Sequence, residues 1–568
     1  MLLPIVSAPF ARSVSLLGLT VVILFGCAHR SPADVEVNLV ALNDFHGYIL
    51  PSSYRYTDLL NPGQSLAQDM GGVATLGGML KELRTEDPEL LFVGVGDLVG
   101  ASPPISNMWA DEPSILALNL LGMNLSVVGN HEFDEGKDEL LRHMKGGCTS
   151  SRPDKACQFE AVFNGAQFPY IAANVVDEVT GKLILSPYVI EEVKGVKIAF
   201  VGAEVEELAS LIAPSSMVGI SVADEAEAIN RYVPELQARG VQAIVAVVHQ
   251  GGKSGGTFSG CDNLTGDIVD IAGRLDSAVD VVLSAHTHEA YICQLGKLTI
   301  TQGASYGHML THLRLSINPE SGNITQVQAE NLLADPARYA PDPVLQQFAD
   351  KLEARGRAVL QQPIARIGAR SITRERILAG ESAMGDLVAD AQLAATHQLG
   401  AQLALMNSGG IRSDLQAPDS GEPLTFSQVS AVHPFKGTLQ LLTLSGAELK
   451  ALLEQQWRDN TGDGFRPLQI SSSMSYQWDA TRSLGDKVLI DSILVEGKPL
   501  KPTADYRIAL NAFLADGGDN FSLFKQGRKR QDSEVRDLDA LIDYLVAQDK
   551  LGKPAGQSEP AGRIQRHN

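Results

Sequence analysis

The feature that most constrains the fold is a set of five short apolar runs, each ending in residues that can bind a metal. Apolar runs bounded by Gly, Asn or Asp are typical of buried strands. In open α/β sheets, functional side chains gather outside the carboxyl ends of the strands, so we expect one shared site. The runs end in Asp44 and His46; Asp97; Asn130, His131 and Asp134; His249; and His286 and His288.

The residue types at these strand ends predict a site for two divalent metal ions. Carboxylate oxygens, imidazole nitrogens and an amide oxygen suit Zn²⁺, Mn²⁺, Co²⁺ or Mg²⁺. Two ions about 3.5–4 Å apart need a ligand that contacts both, which a carboxylate can do. Asp97, a lone Asp in a Gly-rich turn, suits this bridging position. Any one His could be a buried core residue, but so many candidates at strand ends favour metal binding.

Length and charge narrow the class of protein. A chain of 568 residues is too long for one hydrophobic core, so we expect two large domains. The net charge of −21 argues against a nucleic-acid polymer as the partner, because no basic surface offsets the repulsion of its phosphates. A small phosphate ester remains compatible with this charge, since metals and a few Arg side chains can supply local positive charge.

The amino terminus is predicted to be a targeting segment. Arg12 precedes an apolar stretch from Val14 to Phe25, shorter than the roughly 20 residues that span a bilayer. Its end resembles a bacterial lipobox, in which residues 1–26 are removed and Cys27 is lipidated. Plain signal-peptide cleavage is the alternative, because Phe25 is bulky for that position. By resemblance to Gram-negative lipoproteins, we expect a periplasmic or outer-membrane-anchored monomer that meets the membrane only through its lipid.

Four cysteines remain after this segment, and an even number in an exported protein suggests disulfides. Three pairings are possible, and local loop closure favours Cys148–Cys157 and Cys261–Cys293. Metal binding by these cysteines is the weaker interpretation, because no pair has CxxC spacing.

The chain divides at a Pro-rich segment near its middle. Strand-like and helix-like segments alternate over residues 36–338, the first predicted domain. Residues 339–362 contain the Pro-rich segment and a helical pattern, which predicts an interdomain connector. A second α/β pattern fills residues 363–550. The polar residues 551–568, with Pro and Gly, are predicted to be a disordered tail.

Three Gly-rich turns in the second half are candidates for substrate recognition. The first contains Asn407, Gly410 and Arg412, where Gly permits close approach of a ligand and Arg can grip a phosphate. The other two contain Phe435 and Phe513. Most Phe residues belong to a core, but rings in Gly-rich turns can instead sandwich a planar base.

The motifs DFH, GD, GNHEFD, a lone His after a strand, and HTH, in this order, resemble the calcineurin-like metallophosphoesterases. Together with the second half, they resemble the bacterial and animal 5′-nucleotidase family over almost the whole mature chain. The resemblance implies an α/β fold: a metallophosphoesterase β-sandwich flanked by helices, followed by a separate α/β 5′-nucleotidase domain. It also implies that the second domain rotates to bring substrate to the metals.

The same resemblance implies roles for individual residues. His131 and Asp134 would form a catalytic dyad, while Glu132 between them is expected to be structural. Phe435 and Phe513 would stack on a nucleoside base, with Asp519 accepting hydrogen bonds from the ribose. The first metal would take Asp44, His46, Asp97 and His288, and the second Asp97, Asn130, His249 and His286.

The expected activity is release of phosphate from nucleoside 5′-monophosphates, and also from di- and triphosphates. One position departs from the family, because Leu378 stands where close members have an Arg; Arg374 or Arg376 could replace it. Cleavage of UDP-sugar or NAD pyrophosphates and hydrolysis of 2′,3′-cyclic nucleotides remain open as alternatives. A non-catalytic surface binding protein is a remote alternative, because every expected ligand is present.

Overall fold

A computed structural model describes residues 33–57, 65–435, 437–458 and 464–568. The predicted targeting segment 1–26 and Cys27 lie outside the described residues. Among the described residues, no helix has the length and apolar character needed to cross a bilayer.

Two six-stranded sheets form the centre of the N-terminal half. Each contains a parallel core, and the candidate ligands follow strands of that core. In spatial order, the first sheet consists of Ile324–Leu333, Met309–Ile317, Val35–Leu42, Leu91–Val95, Leu125–Val127 and Tyr170–Ile171. The second consists of Ala290–Leu295, Leu298–Gly303, Val279–Ser284, Ala243–His249, Val196–Glu204 and Tyr188–Val193.

The two sheets pack face to face, and helices cover their outer faces. Strand Val35–Leu42 contributes side chains to two cores. Leu39 and Ala41 join the core between the sheets, whereas Val40 and Leu42 join the core beneath the helices. Both faces of these strands are therefore buried, which explains their nearly continuous apolar sequence. The layers follow the order helix, sheet, sheet, helix, as the predicted flanked sandwich requires.

The remaining N-terminal elements are shorter. The α-helices span Val73–Glu86, Pro104–Asn107, Glu112–Leu121, Lys137–Lys145, Leu208–Leu211, Glu225–Ala238 and Asp267–Arg274, and a 3-10 helix spans Asn130–Phe133. The minor strands are Ser52–Thr57 with Ser65–Met70; Ile220–Val222, Val175–Asp177 and Lys182–Leu183; and Lys253–Gly255 with Asp262–Thr265.

The connector contains one helix, Pro343–Leu360. Its amino terminus is capped by Asp342, whose carboxylate accepts hydrogen bonds from the backbone N–H groups of Val344 and Leu345. Leu345 and Leu352 are buried in the helix-covered core of the first sheet. The connector helix is thus part of the N-terminal packing, and the chain enters the second half after it.

The C-terminal half has its own sheets and core. The larger sheet consists of Leu468–Ile470, Leu403–Asn407, Asp505–Asn511, Thr438–Ser445 and Arg528–Arg536. The smaller consists of Lys498–Pro499, Leu494–Val495, Met474–Asp479 and Ile564–His567. Two further strand pairs are Pro363–Ala365 with Leu424–Thr425, and Ser371–Ile372 with Leu415–Gln416.

Helices pack against these sheets and around the candidate recognition turns. The α-helices span Ala383–Thr396, Phe426–Ser430, Gly446–Glu454, Ala512–Ala515 and Asp537–Lys550. The 3-10 helices span His397–Leu399, Ser408–Gly410, Ile490–Ser492, Gly518–Asn520 and Ser522–Gln526.

The prediction of a disordered tail at 551–568 is wrong. Ile564 begins a strand that pairs in parallel with Met474–Asp479, and its side chain is buried in the C-terminal core. The Arg563 guanidinium contacts both carboxylate oxygens of Asp390, at 3.1 and 2.7 Å. The Glu381 carboxylate accepts hydrogen bonds from the backbone of Arg563 and Ile564. The end of the chain therefore packs against the C-terminal half through a strand pairing, an ion pair and backbone hydrogen bonds.

Both expected disulfides are confirmed. Cys148 pairs with Cys157, and Cys261 pairs with Cys293. The first closes the short loop that carries Arg152, and the second ties the segment after Lys253–Gly255 to strand Ala290–Leu295.

We expect Ile564→Ala to lower the free energy of unfolding of the C-terminal half by about 2–5 kcal/mol, because it leaves a cavity in the core. Thermal unfolding followed by circular dichroism would measure this. Glu559→Ala, at an exposed position of the same segment, is the matched control and should change nothing. Equal stability of both variants would mean that the tail contributes no packing.

Candidate active site

The candidate ligands lie in loops at the carboxyl ends of the parallel strands, at one end of the sandwich. Asp44 and His46 follow strand Val35–Leu42, and Asp97 follows Leu91–Val95. On the second sheet, His249 ends its strand, and His286 and His288 follow Val279–Ser284.

The backbone at these positions is unusual. Left-handed φ angles are uncommon for residues other than Gly, and they cluster at functional sites because the surroundings must maintain them. They occur at Asp44 (44°), His46 (47°), Asp97 (50°), His286 (68°) and His288 (59°). The sandwich therefore holds five of the seven predicted metal ligands in a strained conformation.

The structure brings all seven predicted ligands together in two overlapping groups. The first is Asp44, His46, Asp97 and His288, and the second includes Asp97, His249 and His286; within each group the potential ligand atoms all lie within 4.8 Å of one another. Asn130 joins the second group, because its Oδ1 lies 2.9 Å from His286 Nδ1. Asp97 belongs to both groups, as a bridging ligand must.

The hydrogen bonds of His46 and His249 orient their rings as those of metal-binding histidines are oriented. The Nδ1 atoms of His46 and His249 each lie 2.9 Å from a backbone carbonyl oxygen, of Gly100 and Val95 respectively. An N–H at Nδ1 leaves the Nε2 lone pair of each ring aimed into the cluster. Oδ2 of Asp44 is buried without a hydrogen-bond partner, and Nε2 of His249 faces Oδ2 of Asp97 at 3.2 Å. Buried ligand atoms that converge in this way fit a divalent cation.

Asp97 itself is held at several points. Its Oδ2 lies 3.2 Å from His249 Nε2 and 3.5 Å from His46 Nε2, while its Oδ1 accepts a hydrogen bond of 2.9 Å from the backbone of His131. Gly129 lies directly beside it, and a Cβ atom there would collide with the Asp97 carboxylate. The glycine of the GNHEFD motif is thus required by the close approach of two loops.

Glu132 has a structural position, as expected from the sequence. Its buried carboxylate accepts hydrogen bonds from the backbone N–H groups of Asp97, Leu98 and Gly129, at 2.9, 2.8 and 2.5 Å. One side chain therefore fastens the Asp97 turn to the turn before His131.

His131 and Asp134 form the predicted pair, with Nδ1 and Oδ2 2.8 Å apart. Burial disfavours the charged imidazole, but the carboxylates of Asp134 and Asp97 outweigh it and raise the pKa of His131. A protonated imidazole at the edge of the cluster can stabilise negative charge or donate a proton.

The first recognition turn of the C-terminal half reaches the cluster. Arg412 Nη2 lies 3.4 Å from His46 Nε2. Asn407 donates a 2.7 Å hydrogen bond to Asp519, which orients that carboxylate. Asn407, Gly410, Arg412 and Asp519 line one cavity between the two halves.

Phe435 and Phe513 line the same cavity and are only partly buried. The Phe435 ring lies 6.2 Å from the His131 ring, measured between centroids. Phe513 packs against Gly518, where a Cβ atom would overlap its ring. Neither ring belongs to the hydrophobic core, so both are available to a planar ligand.

The cavity has a volume of about 1560 Å³. Leu378 is 81% exposed and is absent from the lining, whereas Arg374 and Arg376 both belong to it. The sequence interpretation missed Arg466, which also lines the cavity. It follows no recognisable motif, so only the fold reveals its position.

Comparison with known proteins agrees with this geometry. Residues 37–290 match the calcineurin-like phosphoesterase family, and residues 358–526 match the 5′-nucleotidase C-terminal domain family. The chain belongs to the 5′-nucleotidase family of metallophosphoesterases. Membership confirms the predicted fold class and identifies the chain as a hydrolase of this family.

Individual proteins are moderately similar to this chain. Endonuclease YhcR of Bacillus subtilis is 28% identical, over 91% of this chain but only 40% of its own length. The 5′-nucleotidase of Diplobatis ommata is 24% identical, over 96% of this chain and 94% of its own. The crystal structure of a 5′-nucleotidase precursor from Thermus thermophilus superposes with a TM-score of 0.76 at 25% identity, over 94% of this chain and all of that one.

We expect Glu132→Ala to lower both stability and metal content, because each buried donor left without an acceptor costs about 1–3 kcal/mol. Thermal unfolding and elemental analysis by mass spectrometry would measure the two effects. Glu192→Ala, at an exposed position of an edge strand, is the control. Full metal content in Glu132→Ala would show that Asp97 keeps its position without this clamp.

Proposed function

We propose that this protein is an exported enzyme of nucleotide catabolism that hydrolyses nucleoside 5′-monophosphates to nucleosides and phosphate. The observation that carries the proposal is the 3.4 Å approach of Arg412 to His46, which joins the recognition turns to the metal cluster. Hydrolysis of a nucleotide requires both regions, because the cluster must bind the phosphate while the recognition turns bind the base.

The seven predicted ligands would hold two divalent ions, which would supply Lewis-acid stabilisation and lower the pKa of a water for attack on phosphorus. His131 stabilises charge on the phosphoryl oxygens or protonates the leaving ribose oxygen, and Asp134 orients its ring. Arg412 binds the phosphate, and its planar guanidinium suits two parallel hydrogen bonds.

The nucleoside occupies the C-terminal side of the cavity in this proposal. Phe435 and Phe513 stack on the base, Asp519 accepts hydrogen bonds from the ribose hydroxyls, and Asn407 and Gly410 line the space between. Rotation of the C-terminal half would open the cavity for exchange of substrate and product.

Export is supported by the two disulfides, since such bonds persist in oxidising compartments. We propose a lipid anchor at Cys27 and a periplasmic or outer-membrane location. Mass spectrometry of the mature amino terminus would separate lipidation from plain signal-peptide cleavage.

One observation favours a second candidate function, the cleavage of nucleotide pyrophosphates. The cavity of about 1560 Å³ exceeds the roughly 300–1000 Å³ typical of small-molecule sites. A nucleotide with further phosphates or a sugar would occupy more of this space than a monophosphate.

Purified protein should release phosphate from AMP, lose this activity with EDTA and regain it with Mn²⁺, Zn²⁺ or Co²⁺. Loss of a general acid typically costs 10²–10⁴-fold, so His131→Ala should lower kcat by that factor while metal content stays constant. His397→Ala, a surface histidine, is the control. Unchanged turnover in His131→Ala would overturn the assigned dyad.

Removal of either stacking ring should weaken nucleotide binding. Stacking on one base contributes about 1–3 kcal/mol, so Phe435→Ala or Phe513→Ala should raise KM for AMP by roughly 5–150-fold. Hydrolysis of ribose 5-phosphate, which has no base, should be unaffected. An unchanged KM for AMP in both variants would contradict the stacking assignment.

A further inference from the structure

A side-chain hydrogen bond joins the two halves beside the proposed base site. The amide group of Asn107 donates to the backbone carbonyl oxygen of Pro434 at 3.2 Å. That carbonyl belongs to the peptide bond between Pro434 and Phe435, one of the two proposed stacking residues. Asn107, Pro434 and Phe435 all line the cavity. The N-terminal half therefore contacts the backbone from which the Phe435 ring projects.

Lys155 fixes the orientation of the Asn107 amide. Its ammonium group donates to Oδ1 of Asn107 at 2.6 Å and to the backbone carbonyl oxygen of Asn107 at 3.1 Å. An ammonium group only donates and a carbonyl only accepts, so the amide must turn its oxygen toward Lys155 and its nitrogen toward Pro434. A carboxylate at this position would lack the donor, and an aliphatic side chain would lack both groups. An asparagine therefore suits both partners.

The loop that carries Lys155 is held firmly against the N-terminal half. The disulfide between Cys148 and Cys157 closes this loop. Within it, the Arg152 guanidinium donates to Oδ2 of Asp111 at 2.8 Å, and both side chains are buried. Breaking a buried ion pair is costly, because an unpaired charge would remain in the interior. Lys155 thus approaches Asn107 from a fixed support.

The turn that carries Phe435 is held from both halves. On the C-terminal side, the backbone N–H of Asp537 donates to the carbonyl oxygen of Gly437 at 3.0 Å. On the N-terminal side, Asn107 holds the peptide bond before Phe435. The Phe435 ring then lies 6.2 Å from the His131 ring, between centroids, with the planes inclined by 27°. A shift of this turn would move the ring relative to the dyad.

We propose that Asn107 and Lys155 are positioning residues that hold the Phe435 ring in place for base stacking when the two halves are closed. They thereby set the affinity for substrates that carry a base. This inference rests on the proposed nucleotidase function. The two side chains act through the peptide bond before Phe435 and make no contact with the phosphate, so a substrate without a base gains nothing from them.

A double-mutant cycle between Asn107 and Phe435, with KM for AMP as the measurement, tests this coupling. Asn107→Ala alone should raise KM by about 2–12-fold, which corresponds to the loss of one hydrogen bond. In the Phe435→Ala background the same substitution should have no further effect, because the ring on which it acts is gone. Additive effects, or an equal rise in KM for ribose 5-phosphate, would overturn the proposal.

Two further variants separate the contacts of Asn107. Asn107→Asp keeps an acceptor for Lys155 but removes the donor to Pro434, so it should raise KM for AMP at least as much as Asn107→Ala. Lys155→Met keeps the donor and loses only its orientation, so the rise in KM should be smaller. Asn323→Ala, at an exposed position away from the cavity, is the control. A wild-type KM in Asn107→Asp would contradict the role of the bond to Pro434.

Binding of adenosine gives a measurement that does not depend on turnover. Calorimetry in the presence of EDTA should show adenosine binding about 2–12-fold weaker in Asn107→Ala than in wild-type protein. Adenosine binding that is equal in the two proteins, or absent from both, would overturn the positioning role even where AMP is hydrolysed. If wild-type protein leaves AMP intact but the difference in adenosine binding is found, the proposed reaction fails and the positioning of Phe435 stands.

Discussion

The Asp97 carboxylate holds the two groups of the ligand cluster together. One oxygen faces His46 and His249, and the other accepts the backbone N–H of His131. A displacement of this side chain would therefore change the spacing of both predicted metal positions and the position of the His131 backbone. Its fixed position depends on Glu132, whose carboxylate accepts hydrogen bonds from the backbone N–H groups of Asp97 and Gly129. A buried carboxylate that satisfies several backbone donors is costly to remove, because each donor would lose its acceptor.

The left-handed angles at the ligands show how the fold supports this arrangement. Residues at the ends of extended strands would normally continue in extended or right-handed conformations, so a left-handed φ at five ligands must be maintained by their surroundings. The loops adopt this conformation because two packed sheets, buried on both faces, fix their starting points. Cores of this size can maintain local strain of about 1–3 kcal/mol per residue. The favourable free energy of packing between the two sheets thus maintains the geometry of the cluster.

Sequence patterns predicted the chemistry of the cluster better than its surroundings. Asp44 and His46 follow an obvious strand and His249 ends another, so their convergence could be expected from parallel topology alone. The strain at these positions depends on long-range packing, and no local pattern encodes it. The tail at residues 551–568 was wrongly predicted to be disordered. Ile564 is nearly isolated among polar residues, and it becomes a core residue only through pairing with its partner strand. Arg466 carries no motif either, because its position in the cavity comes from the turn that precedes strand Leu468–Ile470.

The exposure of Leu378 bears on which side chains supply positive charge to the cavity. An exposed Leu contributes nothing to the cavity, so the positive charge on that loop comes from Arg374 and Arg376. Arg374 and Arg376 are two positions apart in the chain. Arg374 acts on Tyr48 and His308 of the first sheet's loops, whereas Arg376 acts on Glu289 beyond the HTH motif. Under the proposed nucleotidase function, a charge moved along this loop in this way would meet a different part of the substrate and would leave the predicted metal ligands unaltered.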